Sequence, residues 1–317
     1  MPGRLKSRHD GENFVSTEVQ ITELPGEFST LSTPKTVLVG LVGQGISLSR
    51  TPRMHEVEGA HFDLRYVYRL LDTDCMGAPT PDLENIIRAA EIMGFAGLNV
   101  TYPYKRQAVA LLDDLSPMAQ RIGAVNTIVF KDGKRFGENT DCSGFGDSFH
   151  REMENASRGT VLLLGAGGAG GAVADALLDT GVTRLLIHDI NRSLAEALVD
   201  RLTSQARENL IELVTDIAAA ADATNGIVNA TPVGMAKLPG TPIPVDLLKP
   251  RHWVIDIIYF PMETEFLHAA RTIGCRALSG AGMAVHQAVR AFELFTGLTP
   301  NLERMKATFE SFEDKAK

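Results

Sequence analysis

The stretch "TVLLLGAGGAGGAVADALLDTG", residues 160–181, decides the fold. Its opening run, 160–165, has the length and apolar character of a buried strand, and "GGAVADALLDTG" reads as an Ala-rich helix. Between them lies G-x-G-x-x-G, at Gly165, Gly167 and Gly170. In a chain with 29 glycines that string alone is weak, and its setting between strand and helix strengthens it. The first glycine permits a tight turn, and the second lets a pyrophosphate approach the backbone. The third lets the helix pack closely, with its positive N-terminus toward the phosphates. The next strand, "TRLLIHDI" (183–190), carries Asp189 at its end. A carboxylate there accepts hydrogen bonds from an adenosine ribose and repels a 2′-phosphate, which favours NAD over NADP. Asn191 and Arg192 follow, and an arginine there could instead clamp that phosphate.

Working outward, a helix through "SLAEALVDRL" and strands at 226–232 and 252–261 continue the alternation. Helices at 264–274 and 282–296 close the chain, split by a short "CRALSG". An earlier series precedes the glycine loop: strands at 37–43, 66–72 and "GLNVTYP", with helices starting at Thr51-Pro52 and over 80–94. The latter helix takes Thr80 as cap and Pro81 as first residue. A further helix is expected through 105–113, a short one over 116–123, and a hairpin around Asp132-Gly133. Strands alternating with helices predict an α/β fold with parallel sheets, one per half. Residues 1–35 read as a polar extension.

Of 317 residues, 44% are apolar and 22% charged, which suits about two ordinary domains. A net charge of −8 argues against nonspecific nucleic-acid binding and a polybasic membrane contact. No apolar run is long enough to span a bilayer, and the N-terminus lacks a secretory apolar core. Three scattered cysteines, Cys75, Cys142 and Cys275, form no disulfide framework or metal motif, and neither HExxH nor a Cys/His cluster occurs. The expectation is a cytoplasmic protein without a metal.

"GLNVTYPYKRQAV", 97–109, begins as a buried strand and then presents Asn99, Thr101 and Lys105. Folding asks for none of these. Four other segments share the oddity: "SLSRTPRMH", "GAVNT", "GENTDCSGFG" and "MAVHQAV". They supply Ser47, Ser49, Thr51, Asn126, Asn139, Thr140, Asp141 and Gln287. Singly, each is an ordinary turn or cap residue. Together they offer hydroxyl, amide, carboxylate and one ammonium, suited to a small polyhydroxylated acid.

At this point the chain resembles the shikimate dehydrogenase family over about residues 37–305. The matching segments, in family order, are "NVTYPYK", "GAVNT", "ENTDCSGF", "GAGGAGGA", "NATPVGM", "DIIYFPMETEFL" and "GAGMAVHQAVRAFELFTG". "GQGISLSRTPRMHEVEG" and Asp189 place the likeness on the NAD-dependent quinate/shikimate side of the family. The resemblance implies an α/β substrate domain over 36–138, completed by C-terminal helices 284–317, and a Rossmann-type doubly wound domain over 139–283. It implies Lys105 and Asp141 as the catalytic pair, with Asn99, Thr101, Asn126, Tyr259 and Gln287 around the substrate. The family's S-x-S-P pattern, set in register by Pro52 and His55, becomes Ser49 and Thr51. Thr51 brings a methyl group to the substrate carboxylate, which weakens the expectation of strict shikimate specificity. Cofactor contacts would fall on Gly165, Ala166, Gly167, Gly168, Ala169, Gly170, Asp189, Asn191, Arg192, Thr231, Gly280 and Met283. The implied reaction is reversible hydride transfer between the C3 hydroxyl of quinate or shikimate and NAD, by a monomer or homodimer. An NADP-dependent shikimate dehydrogenase, with Arg192 dominating cofactor choice, and a non-catalytic sensor of these acids are the alternatives.

Overall fold

A computed structural model describes residues 35–205 and 210–312. The extension expected over 1–35 therefore lies outside the described residues except for Lys35. Twelve strands form two six-stranded sheets among those residues. The first contains β1 (Thr36–Gly43), β2 (Arg65–Asp72), β3 (Gly97–Val100), β4 (Asp114–Leu115), β5 (Thr127–Lys131) and β6 (Lys134–Glu138), in the order β2-β1-β3-β5-β6-β4. The second contains β7 (Thr160–Leu164), β8 (Arg184–His188), β9 (Leu210–Leu213), β10 (Gly226–Asn229), β11 (Trp253–Asp256) and β12 (Arg276–Ser279). Its order, β12-β11-β10-β7-β8-β9, is all parallel and is the doubly wound dinucleotide-binding arrangement.

The helices are α1 (Thr51–His61), α2 (Leu83–Ile92), α3 (Pro117–Ile122), α4 (Thr140–Glu152), α5 (Gly168–Asp179), α6 (Arg192–Thr203), α7 (Ile217–Asp222), α8 (Glu265–Ile273), α9 (Ala281–Thr296) and α10 (Leu302–Glu310). The central strands β7, β10 and β11 are buried on both faces and read as nearly unbroken apolar runs, while the edge strands β9 and β12 are only part-buried. Val161, Leu163, Leu185 and Ile187 face α4, α5 and α6, while Leu162, Leu164 and Leu186 face α7 and α8. In the first sheet Leu98, Val100 and Ile128 pack on α2. Val37, Val39 and Leu41, with Tyr66 and Tyr68, pack on Phe292 and Phe295 of α9. The chain thus returns from its second half to finish the core of its first. α10 then packs Met305 and Phe309 against Met54 of α1 and Ala284, Val285 and Ala288 of α9.

Several local expectations are corrected. The first sheet is mixed, because the Asp132-Gly133 hairpin pairs β5 antiparallel to β3. Only β1, β2 and β3 form its parallel core, with β4 beside β6. The helix expected over 105–113 is a turn followed by a 3-10 segment, Gln107–Leu111. The chain is drawn into extended pairing there, with Asp113 N–H donating to the Arg135 carbonyl. α2 is capped by Asp82, which accepts from Asn85 N at 2.8 Å, so Thr80 and Pro81 precede the helix. Arg50 is the N-cap of α1 and Thr51 its first residue. "CRALSG" is strand β12, not a mere break. The 252–261 strand is shorter than expected, ending at Asp256. β9 and α7 were not foreseen, and Cys75 is exposed while Cys142 and Cys275 are buried. Among the described residues no helix is long and apolar enough to cross a membrane.

Candidate active site

Each sheet has a point where its strand order reverses, and ligands of open α/β sheets sit beyond the carboxyl ends of the strands there. In the second sheet the reversal lies between β7 and β10. The glycine loop leaves β7, and Thr231 lies two residues beyond β10. Gly165 has φ +100°, and a Cβ on it would stand 2.8 Å from the Ala230 carbonyl. A Cβ on Gly170 would lie 2.1 Å from the Gly165 oxygen, so helix and loop touch through bare backbone. Gly167, by contrast, faces open space. These are the steric properties a pyrophosphate cradle at a helix N-terminus requires.

Asp189 lies just past β8, and its carboxylate ties the loop down. Oδ2 accepts from Ala166 N at 2.7 Å and Oδ1 from Asn191 N at 2.8 Å. A carboxylate has about four acceptor positions, so about two remain. Arg192 donates through Nε to Glu196 at 2.7 Å on the exposed surface of α6. Its charge is therefore already matched by a carboxylate one turn away.

In the first sheet the reversal lies between β1 and β3. The loop to α1 brings Ser49 and Thr51, and the turn after β3 brings Thr101 and Lys105. Ser49 is half-buried and Thr51 buried, with Thr51 N–H donating to Ser49 Oγ at 3.4 Å, while Ser47 is exposed. Lys105 Nζ donates to Asp141 Oδ2 at 2.5 Å, the two side chains being 16% and 9% exposed. Asp141 stands in the first turn of α4, where a negative charge is favoured by the helix dipole. That helix start is heavily fixed. Asn139 caps it by accepting from Cys142 N, and Asn126 Oδ1 accepts from Thr140 N at 2.7 Å.

Asn99 and Asn126 are buried and spend much of their capacity within the protein. Asn99 donates to Thr127 Oγ1 at 2.9 Å and to the Asn126 carbonyl, and accepts from Tyr68 Oη at 2.7 Å. Both of its amide protons are committed. Asn126 donates to Thr140 Oγ1 at 2.9 Å and keeps one amide proton. Gln287 donates to the Ala284 carbonyl. Its helix is pressed on α4 at Gly144, whose Cβ would stand 2.8 Å from Gln287 N. Burial pushes the Tyr259 phenol up, the Asp141 charge adds to the shift and Arg50 opposes it.

The two reversal points meet. A Cβ on Gly168, the first residue of α5, would lie 3.4 Å from Lys105 Cβ and 3.6 Å from its Cδ. The start of the glycine-loop helix thus packs on the stem of the lysine. Gly280 and Met283, also expected at the cofactor, lie at the start of α9. Met283 is buried in the core with residues of α4, and a Cβ on Gly280 would strike the Ile257 carbonyl at 2.0 Å.

Other residues at the site went unread in the sequence. Arg50 is buried, donates to the Phe309 carbonyl at 3.1 Å and lies over the Phe309 ring at 4.9 Å. Its position between Ser49 and Thr51 was the available signal. Asp256, the last residue of β11, accepts from Asn229 Nδ2, Ile258 N and Thr264 Oγ1 at 3.0, 3.1 and 2.7 Å. Burial pushes its carboxyl up to about 6 despite those bonds. Asn229 in turn accepts from Thr231, so one carboxylate braces the loops carrying Thr231 and Tyr259. His55 is fully buried against Tyr66 and is held neutral by burial, its pKa lowered to about 3.

Comparison with known proteins agrees with this geometry. Residues 41–128 match the family model of the shikimate dehydrogenase substrate binding domain, and residues 280–308 that of the shikimate 5'-dehydrogenase C-terminal domain. A quinate/shikimate dehydrogenase (NAD(+)) of Corynebacterium glutamicum is 47% identical over 281 residues, 87% of this chain and 98% of its own. A shikimate dehydrogenase (NADP(+)) of Streptomyces avermitilis is 45% identical over 284 residues, 87% of this chain and 95% of its own. The solved structure of the quinate dehydrogenase from Corynebacterium glutamicum in complex with NAD matches with a TM-score of 0.82 at 47% identity, covering 87% of this chain and 99% of that one. With two reversal points meeting at one ion pair and likeness along nearly the whole length of these relatives, the chain belongs to the shikimate dehydrogenase family.

Proposed function

We propose that this protein is an NAD-dependent quinate/shikimate dehydrogenase, oxidising the C3 hydroxyl of either acid reversibly to the 3-dehydro product. The observation that carries the reading is the contact of Gly168 with the Lys105 stem, because it joins the glycine loop and the Lys105–Asp141 pair in one cleft. Residues 36–138 with the helices from 284 onward hold the acid, and residues 139–283 hold the dinucleotide. Asn126, Thr101, Gln287 and Asn99 meet the ring hydroxyls, Asn99 as acceptor only. Ser49, Thr51 and Tyr259 meet the carboxylate end.

NAD held by the glycine loop and Asp189 would supply the hydride acceptor for C3. The hydroxyl proton must leave as well, and that is the task of the chain's own residues. Lys105 Nζ receives the proton after passing one of its own toward Asp141 Oδ2, its partner in the short hydrogen bond. In the reverse direction the Lys105 ammonium donates to the ketone oxygen and stabilises its developing charge. Asp141 keeps Nζ aimed, and Asn126 keeps Asp141 in place through Thr140.

Cofactor choice rests on charge, since the two relatives that differ in cofactor are nearly equal in identity. Asp189 leaves acceptor positions for the ribose hydroxyls, and a 2′-phosphate would meet the Asp189 carboxylate and an arginine already engaged by Glu196. The test is absorbance of reduced nicotinamide with quinate or shikimate, each with NAD or NADP. Turnover of both acids with NAD, at least about tenfold faster than with NADP, is expected. Turnover of shikimate alone with NADP would overturn the cofactor reading, and silence in all four would favour a sensor.

A further inference from the structure

The Lys105–Asp141 pair crosses between the two halves, and a second set of charged contacts crosses between them along α5. Asp175, two turns along α5 from Gly168, is fully buried, yet it is a carboxylate facing the other half of the molecule. Arg121, on α3, donates through Nε to both its oxygens at 3.0 and 2.9 Å, and through Nη2 to Oδ2. Nη2 also reaches Asp179 Oδ2 at 2.9 Å, one turn further on. Arg201 Nη1 on α6 and Gln205 Nε2 in the turn after it donate to the Arg121 carbonyl at 3.1 and 3.2 Å. Ile122 of α3 approaches α5 at Gly171. Thus α3 is gripped along the length of α5 by charge, backbone bonds and packing.

Both members of the reacting pair lie one step from this grip. Three residues after α3, Val125 N–H donates to the Lys105 carbonyl at 2.8 Å, fixing the turn that delivers the lysine. Cys142, the residue after Asp141, has its Sγ 3.7 Å from Asp175 Oδ2. One buried carboxylate on the dinucleotide-side helix therefore bonds Arg121, four residues before the Val125 that fixes the Lys105 turn, and meets Cys142, the neighbour of Asp141.

We propose that Arg121 and Asp175 are positioning residues: their ion pair clamps α3 and α4 to α5 and so sets the distance from Lys105 and Asp141 to the bound dinucleotide. This rests on the dehydrogenase reading above. A buried ion pair gives little net stability against its desolvation, so its value lies in direction and register. Removing Arg121 alone takes its guanidinium from a buried carboxylate and endangers folding. The informative variant is the neutral, hydrogen-bonding double substitution Arg121→Gln with Asp175→Asn, set beside Arg121→Lys.

Three quantities are read: kcat, the deuterium isotope effect on kcat with acid deuterated at C3, and the NAD Kd by calorimetry. A fraction of an ångström to an ångström of misplacement at the reacting atoms costs up to about 100-fold. The expected result for the double variant is a kcat lowered about 10- to 100-fold, with an isotope effect above the wild-type value, since hydride transfer becomes limiting. The NAD Kd stays within about twofold, because the glycine loop is intact, and Arg121→Lys recovers part of the rate. A double variant with wild-type kcat and isotope effect overturns the clamp. Small-angle scattering of the two ligand-free proteins supplies an arm independent of turnover, in which the double variant is expected to be more extended. If the wild type turns over none of the acids, the dehydrogenase reading falls while this arm still decides the clamp, and superimposable scattering curves overturn it.

Discussion

The glycine loop and the polar cluster at the end of β3 do related work with opposite materials. In the loop, function lies in what is missing: Gly165 and Gly170 are forced by backbone contacts, and Gly167 leaves space. In the cluster, Asn99, Asn126, Thr127 and Thr140 bond to one another, and only the capacity left over faces a ligand. Backbone recognition therefore writes a short, rigid pattern into the sequence. Side-chain recognition first costs a preorganised network, whose members lie up to 41 residues apart between Asn99 and Thr140.

Substitutions can break that contrast in order of size. Gly170→Ala drives a methyl group into the Gly165 carbonyl and is expected to cost more than about 3 kcal/mol in denaturant unfolding. A loss below about 1 kcal/mol would mean the loop can shift and is not defined by backbone contact.

Asp256→Asn comes next and works through pH. The Asp256 carboxyl rises from 3.8 to about 6 on folding, so between those values the folded state holds a proton that the unfolded state releases. Its favourable share is complete below about 4 and is lost as pH rises through about 6. Asparagine mimics the protonated form at every pH. The variant is therefore expected to gain on the wild type by on the order of 2 kcal/mol between pH 4 and 7.5. A stability difference that does not change with pH would refute the raised carboxyl.

Gly167→Ala is expected to change stability least, within about 0.5 kcal/mol, while raising the KM for NAD several-fold and leaving that for the acid unchanged. An unaltered KM for NAD would remove the pyrophosphate from Gly167. Together with Gly170→Ala, this separates the glycine kept for packing from the glycine kept for a ligand.

These contrasts explain what could be read in advance. The doubly wound half was legible because a strand, a glycine string, a helix and Asp189 follow in a fixed local order. The first half was legible through motifs, and its mixed sheet was missed because β5 joins β3 by long-range pairing that no local alternation encodes. The helix expected over 105–113 failed for the same reason, the chain being recruited by Arg135. Lys105 and Asp141 were found by resemblance. Their meeting, 36 residues apart in sequence, depends on α4 being capped by Asn139 and held by Asn126. Arg121 with Asp175 carried no motif at all, since each alone is an ordinary helical charge. Arg50 was overshadowed by its neighbours Ser49 and Thr51.

The most direct test of the reacting pair is the kcat of Lys105→Met at saturating NAD and quinate. Methionine keeps an aliphatic stem against Gly168 and removes only the ammonium. A fall of about 10²- to 10⁴-fold, with KM for quinate changed by less than about threefold, is expected if proton transfer passes through Nζ. A kcat within about twofold of wild type would contradict it and reduce Lys105–Asp141 to a structural ion pair.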